Sequence, residues 1–311
     1  MAKDITNLAA SVRQRLRNLA LEKQRDFGLV LVNYGLERLI YRLVQSRHRD
    51  QFVLKGGMLV TVWTGDDHRS TRDADFLGFG ELDEERLREI FTDIMTIDGN
   101  DGLIFDVEQL AAAAIREDNI YGGVRLKTVA MLDSARIPIT IDVGLGDALT
   151  QPEHVIDYPS LLGTPIQNIR AYPPETVIAE KFQAIVALGI VNGRMKDYYD
   201  LWTIPAVLDL DEASLMQAIA ATFARRETAV PVDVPEGLTD AFAKDPLKVR
   251  QWQAYTDSIG IDSVSLSAVT ARIKRISCKR TTIERSPWSR LSSSGTRTSS
   301  FYQDSFARPL I

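Results

Sequence analysis

Within residues 73–144 four segments carry apolar side chains at intervals of two, whereas on either side of that block they recur at helical spacing, and no other feature restricts the architecture as tightly. Residues 73–79, 103–110, 122–131 and 137–144 read as strands. The segment 83–95, with Leu87, Ile90, Phe91, Ile94 and Met95 on one face, reads as a helix between the first two. Two predicted helices precede this block. One carries Ile5, Leu8, Ala9, Val12, Leu16 and Leu19 after a cap at Asp4, and the other carries Leu29, Val32, Leu36, Leu39, Ile40 and Leu43. After Gly146 comes a connector with Pro152, Pro159, Pro165, Pro173 and Pro174, and the pattern beyond it is helical. Pro174 and Glu175 suit a first helical turn, and Gly189 suits its end. The expectation is an α+β chain. Residues 1–150 form an α/β core with N-terminal helices, and 151–276 form a helical domain. Residues 277–311, rich in Ser, Thr and Arg and lacking either period, form a poorly structured tail.

At 311 residues, with 45% hydrophobic and 25% charged, the chain has the composition of a globular protein. It has no apolar run of about 18 residues and no apolar stretch near its amino end, so no membrane partner is expected and the cytoplasm is the expected location. A single cysteine, Cys278, cannot form an internal disulfide, and three scattered histidines (His48, His68 and His154) make a Cys/His zinc site implausible. The net charge of −5 argues against coating nucleic acid through an overall basic field, while leaving room for a local basic face. The tail differs here too, with six Lys and Arg against two Asp and Glu.

The chemistry concentrates in Arg69-Ser70-Thr71-Arg72-Asp73-Ala74-Asp75-Phe76. On a strand, residues two apart share a face, so Asp73 and Asp75 present two carboxylates to one cation. Magnesium takes oxygen ligands of this kind and completes its shell with water and phosphate oxygens. Alone, the pair reads more simply as a solvated strand end. A third carboxylate changes the balance. In Ile137-Pro138-Ile139-Thr140-Ile141-Asp142-Val143, alternation sets Asp142 opposite the apolar face, where an unpaired charge is costly. If the two strands are neighbours, the three acids converge on a site for two divalent ions, about 3.5 to 4 Å apart, of the type that activates an attacking oxygen and stabilises a leaving one. Upstream, Gly56-Gly57 allows close approach of a phosphate to a helix start, although a plain capping turn explains the pair equally well. Walker and Gly-x-Gly-x-x-Gly patterns are absent, which argues against a P-loop ATPase and a Rossmann dehydrogenase.

Gly56-Gly57, Asp73-x-Asp75 and a later Asp142, in that order, resemble the nucleotidyltransferase fold shared with DNA polymerase β. Within that superfamily, four phrases resemble the AbiEii/AbiGii toxin family: Leu54 to Val60, Arg69 to Phe76, Ala179 to Phe182, and Arg194 to Trp202. The likeness covers roughly residues 30–275 and implies a mixed sheet with flanking helices and a helical C-terminal half. It further implies a nucleotidyltransferase, using Mg2+ or Mn2+, that moves NMP from an NTP to an acceptor hydroxyl. Such a protein would be the toxin of a bacterial toxin-antitoxin or abortive-infection system with a cognate antitoxin, and RNA, such as the tRNA 3′ end, would be an acceptor. Asp73, Asp75 and Asp142 become metal ligands and catalytic groups, joined by Lys181 on phosphate and by Asp197 as a catalytic or network carboxylate. Gly56, Gly57, Arg69, Arg72 and Lys196 become nucleotide-binding residues. Gly57 stands where the superfamily commonly has serine, so a hydroxyl is missing.

Several readings stay open on sequence alone. Arg69 and Arg72 either hold a triphosphate or anchor the strand through ion pairs. Asp200 is either part of the site or an acid favoured by a helix start. Arg13, Arg15, Arg17, Arg38, Arg42, Arg47 and Arg49 either form a basic strip for RNA or are solvated surface. Phosphate on Ser70 or Thr71 would repel a triphosphate. A non-catalytic nucleotide- or RNA-binding protein and an enzyme that nucleotidylates proteins are the rival functions.

Overall fold

The computed structural model describes residues 7–66, 69, 71–115, 122–147, 149, 153–261 and 264–284. The chain opens with α1 (Leu8–Glu22) and α2 (Phe27–Gln45), then β1 (Phe52–Lys55), α3 (Gly57–Thr64), β2 (Ala74–Gly78), α4 (Glu84–Met95), β3 (Leu103–Phe105) and β4 (Ala111–Ala114). A long hairpin follows, β5 (Gly123–Leu132) and β6 (Ala135–Leu145), then β7 (His154–Tyr158) and β8 (Ile166–Ala171). The rest is helical: α5 (Pro174–Leu188), α6 (Met195–Val207), α7 (Glu212–Arg225), α8 (Asp240–Lys244), α9 (Pro246–Ile259) and α10 (Leu266–Glu284). The helix caps are local and chemical. The Asn7 side chain accepts from the Ala10 amide, Asp26 from Leu29 and Asp83 from Arg86. Pro174 opens α5 and Gly189, at φ 50°, closes it as the sequence predicts.

The strands join in one eight-stranded sheet of order β3-β5-β6-β2-β1-β8-β7, with β4 on β5. The β2/β6 and β1/β8 pairs are parallel and the others antiparallel, so the sheet is mixed. One face is apolar: Ile137, Ile139, Ile141 and Val143 of β6 are fully buried, and α2 lies so close that a Cβ on Gly35 would stand 2.6 Å from Ile139. Phe52, Phe76 and Phe91 pack together between the sheet and α4, with ring centres 5.3 to 6.4 Å apart. The opposite face carries the polar residues of the same strands and receives the helical half.

Three expectations need correction. The proline-bearing connector is not merely a connector, because β7 and β8 form within it and β8 extends the sheet beside β1, so sheet gives way to helix at Pro173-Pro174. Prolines bracket rather than interrupt these strands, and the strands are short and half-exposed, which hides their period. The tail is not structureless from residue 277, since α10 continues to Glu284; residues 285–311 lie outside the described residues. The first helix is capped by Asn7, while Asp4, the expected cap, lies outside the described residues, as do Ser70 and Pro152. Among the described residues no helix is long and apolar enough to cross a membrane.

Candidate active site

Strand pairing assembles the site. β1 runs antiparallel to β2 with Lys55 opposite Asp75, β2 runs parallel to β6 with Asp75 opposite Asp142, and β6 runs antiparallel to β5 with Asp142 opposite Arg125. Directly paired residues point to the same face, so Lys55, Asp75, Asp142 and Arg125 form one row across four strands, two acids between two bases. Asp73 sits in the bend just before β2 and completes a set of three carboxylates whose facing oxygens all lie within 4.8 Å of one another. The sequence expectation that the Asp73/Asp75 and Asp142 segments are neighbours is therefore met by the register itself.

The acids are not neutralised evenly. Burial raises the Asp75 carboxyl to about 6, with the Asp73 and Asp142 charges adding to the rise and Lys55 and Lys196 opposing it. Lys55 cannot give its full charge to Asp75 because its ammonium also bonds Asp147 and faces Glu180 at 3.6 Å. Asp142 accepts both arms of Arg125, at 2.7 and 2.6 Å. Asp73 accepts from the Thr71 hydroxyl.

The two glycines are required by this crowding. Gly56 has φ +70°, and a Cβ there would stand 2.0 Å from Asp75 Oδ2. A Cβ on Gly57 would meet Arg69 Nη1 at 2.8 Å and the Thr71 hydroxyl at 3.0 Å. The absence of serine at Gly57 thus has a local reason, since Arg69 and Thr71 occupy its space.

Behind the row lies a second polar set. Arg69, 1% exposed, places its Nε 2.7 Å from Asp200 Oδ1 and its Nη2 on Oδ2. Lys181 bonds Asp197 at 2.7 Å and Asp200 at 2.8 Å, and Arg194 reaches Asp197 at 2.7 Å. Burial alone would raise Asp200, but Lys181 and Arg69 outweigh it and hold the carboxyl at about 2. Burial would lower Lys181, and Asp197 with Asp200 outweigh that as well, so it stays protonated. Of the two readings of Arg69, the geometry takes the ion-pair anchor, with Nη1 alone left aimed at the Gly57 turn and unpartnered among the described residues. Asp200 is likewise part of the network. Lys181 sits on two carboxylates rather than facing an open phosphate position.

Lys196, on α6, behaves differently. It is partly buried, and burial with the Arg69 charge lowers its pKa, while Asp73 and Asp200 pull the other way. Among the described residues no carboxylate lies within ion-pair distance of it, so its ammonium is the least committed cation beside the acids. Arg72 is exposed at the same bend. The arginines of the strip divide: Arg47 and Arg49 are solvated surface, whereas Arg38 and Arg42 fit neither reading. Arg38 and Arg42 are turned inward onto Asp101 at 2.6 to 2.7 Å, Arg47 pairs with Asp93, Arg49 faces Asp50, and Arg15 donates to the Leu162 carbonyl. A separate cavity of about 350 Å³ is lined by Arg13, Arg17 and Arg25 with Ala20, Leu21 and Phe27.

Sequence reasoning missed Lys55 and Arg125. Both were within reach of it: Lys55 immediately precedes Gly56, and the β5/β6 hairpin turns at Asp133-Ser134, so counting outward from Leu132 opposite Ala135 brings Arg125 opposite Asp142.

Two Helicobacter pylori proteins of known crystal structure resemble the chain. JHP933 is 13% identical, with 82% of this chain and 96% of that one covered at a TM-score of 0.44. A protein described as a candidate nucleotidyltransferase is 16% identical, with 82% and 97% covered at 0.45. No curated protein matches significantly in sequence. The profile of the family described as the nucleotidyl transferase AbiEii toxin of type IV toxin-antitoxin systems matches residues 38–271, which span the acidic row, the glycine turn and the buried network alike. The chain belongs to the AbiEii nucleotidyltransferase toxin family.

Proposed function

We propose that the protein is a metal-dependent nucleotidyltransferase that moves NMP from an NTP to an acceptor hydroxyl, with Asp73, Asp75 and Asp142 as the metal ligands. The observation that carries this reading is the convergence of Asp75 and Asp142, paired in register, with Asp73 from the adjoining bend, their facing oxygens all within 4.8 Å of one another. The donor set fits a hard divalent cation: it is all oxygen, its charges repel one another, and the raised Asp75 records that repulsion together with burial. When bound, Mg2+ or Mn2+ would activate the acceptor hydroxyl and stabilise the leaving pyrophosphate.

The chain's own residues do the rest. The Gly56-Gly57 turn lets the backbone approach a phosphate while leaving Asp75 room beside it. Lys196 and Arg72 supply positive charge to the triphosphate from α6 and from the bend before β2. Lys181 and Asp197, locked to Arg69 and Asp200, hold α5 and α6 against the glycine turn, so that Lys196 keeps its place over the acids. Asp142, partly shielded by Arg125, is the carboxylate that takes the acceptor proton.

The reading extends to a toxin whose partner is a cognate antitoxin and whose acceptor is RNA, with the tRNA 3′ end as the first to test. With the arginine strip dispersed, the support for a polyanionic acceptor is the cavity lined by Arg13, Arg17 and Arg25. Incubation with each α-labelled NTP, Mg2+, and either total RNA or total protein identifies the acceptor class. Asp73→Asn should reduce labelling at least about 1,000-fold while far-UV CD and melting temperature hold. Undiminished labelling by that variant refutes the mechanism, and nucleotide binding with no label on any acceptor favours the non-catalytic reading.

A further inference from the structure

The cavity of about 350 Å³ lies between α1 and the start of α2, with Arg13, Arg17, Ala20, Leu21, Arg25 and Phe27 as its wall. Among the described residues no acid lines it. Three guanidiniums around one opening repel one another as three carboxylates do, and they favour an anion for the same reason that the acids favour a cation. Arg13 meets Asp133 only at 3.4 Å. Guanidinium forks match phosphate oxygens in pairs, and Ala20, Leu21 and Phe27 offer the apolar surface that a sugar and base would cover.

A chain of hydrogen bonds leads from this cavity to the acids. Asn33 of α2 turns its amide so that the nitrogen donates to the Thr71 carbonyl at 2.9 Å and the oxygen accepts from Arg25 Nη2 at 2.7 Å, the orientation that matches donor to acceptor at both ends. The Thr71 hydroxyl in turn bonds Asp73. Thr71 is 5% exposed and also fills the space that a Cβ on Gly57 would need, its hydroxyl 3.0 Å away. It is therefore gripped from the cavity side by its carbonyl, while its side chain holds Asp73 and abuts the glycine turn.

We propose that the cavity binds a phosphate group carried on a nucleotide, and that Asn33 is the positioning residue that couples its occupancy to the metal site through Thr71 and Asp73. The coupling rests on the reading of Asp73, Asp75 and Asp142 as metal ligands; the cavity does not. A phosphate seated on Arg25 fixes the guanidinium from which Asn33 accepts, so Thr71 and Asp73 are held in place before the cation arrives. By linkage the cation tightens phosphate binding by the same factor. The phosphate belongs to an acceptor strand or to a free nucleotide, and both present the same oxygens to the arginines.

Calorimetric titration of AMP into the whole protein in EDTA tests the cavity, with adenosine as the probe that lacks phosphate. Adenosine should bind at least about tenfold more weakly than AMP, and Arg17→Met should weaken AMP about tenfold at an unchanged melting temperature. Arg17→Lys, which keeps the charge without the fork, should fall between. Equal AMP affinity in the wild type and Arg17→Met overturns the cavity assignment. A tetraadenylate RNA that binds more tightly than AMP assigns the phosphate to a strand, and equal affinity assigns it to a free nucleotide. Coupling is read by Mn2+ titration, followed by electron paramagnetic resonance of free Mn2+, with and without AMP. AMP should tighten Mn2+ about fivefold in the wild type and not at all in Asn33→Asp, an isostere that still accepts from Arg25 and cannot donate to Thr71. The added charge acts on both titrations alike and leaves their ratio. Arg17→Met should lose the same tightening; its retention there would place AMP at the acids and overturns the coupling. A merely structural Asn33 would lower the melting temperature of Asn33→Asp and leave the tightening intact, which also overturns its role. Failure of the wild type to bind Mn2+ brings down the metal site and the coupling together, whereas the titration in EDTA still decides the cavity.

Discussion

The acidic row and the network behind it use the same residue types to opposite ends. Around Asp200 every charge is answered: Arg69 contributes a fork, Lys181 bridges to Asp197, and Arg194 completes the set, so a buried carboxyl is held at about 2. Around Asp75 the charges are left in excess. Three carboxylates face Lys55, Arg125 and Lys196, but Lys55 is shared with Asp147 and Glu180, Arg125 lies on Asp142 and Lys196 makes no ion pair with them among the described residues, and burial with the neighbouring charges raises the Asp75 carboxyl to about 6. Low dielectric strengthens both effects. A satisfied network fixes α5 and α6 to the glycine turn, whereas an unsatisfied one is a place for an ion. Asp200 is fully buried and Asp75 partly so, and the balance of charge separates the two further.

The comparison breaks most severely at Asp200. Asp200→Ala leaves Arg69 and Lys181 buried with their main partner gone, and should cost about 3 to 5 kcal/mol in urea unfolding. A loss below about 1 kcal/mol would mean that the network is not the anchor. Replacing Lys196 probes the other side. Lys196→Met removes the cation least committed to a carboxylate, and should raise KM for NTP about tenfold with a smaller change in kcat and an unchanged melting temperature. An unaltered KM would take Lys196 out of nucleotide binding.

The smallest expected effect concerns pH, and here the two carboxyls act with opposite sign. Asp75, raised from its ordinary value, favours the folded state most when protonated. In metal-free protein its contribution is fully present below about 4 and is lost as pH rises through about 6. Asp200, depressed, contributes above its ordinary range and loses that contribution as pH falls toward about 2. Asp75→Asn should therefore be more stable than the wild type by about 1 kcal/mol at pH 8, and the gain should vanish near pH 4. A gain independent of pH would show that the Asp75 charge, disfavoured by burial and by its neighbouring carboxylates, is not its cause.

Much of this was legible beforehand. Asp75 and Asp142 lie on strands, where a period of two decides which face a residue takes, whereas Asp73 sits in the bend before β2 and joins them from outside the ladder. The start of α5 at Pro174 and its end at Gly189 followed from backbone chemistry local to those residues. β7 and β8 were not legible, because short half-exposed strands carry little period. The fate of the arginines was not legible either. Arg38 and Arg42 look like surface charges on an amphipathic helix, and only the approach of the 97–101 loop, bringing Asp101, turns them inward.

The sequence by itself determined the order of helices and strands, the caps, and which residues of each strand share a face, because these depend on neighbours a few positions apart. Tertiary structure decided which strands lie side by side, and with that the row of Lys55, Asp75, Asp142 and Arg125 and the pairing of Arg69 with Asp200 across 131 residues. Coulomb energy depends on distance in space, and separation along the chain does not reveal it.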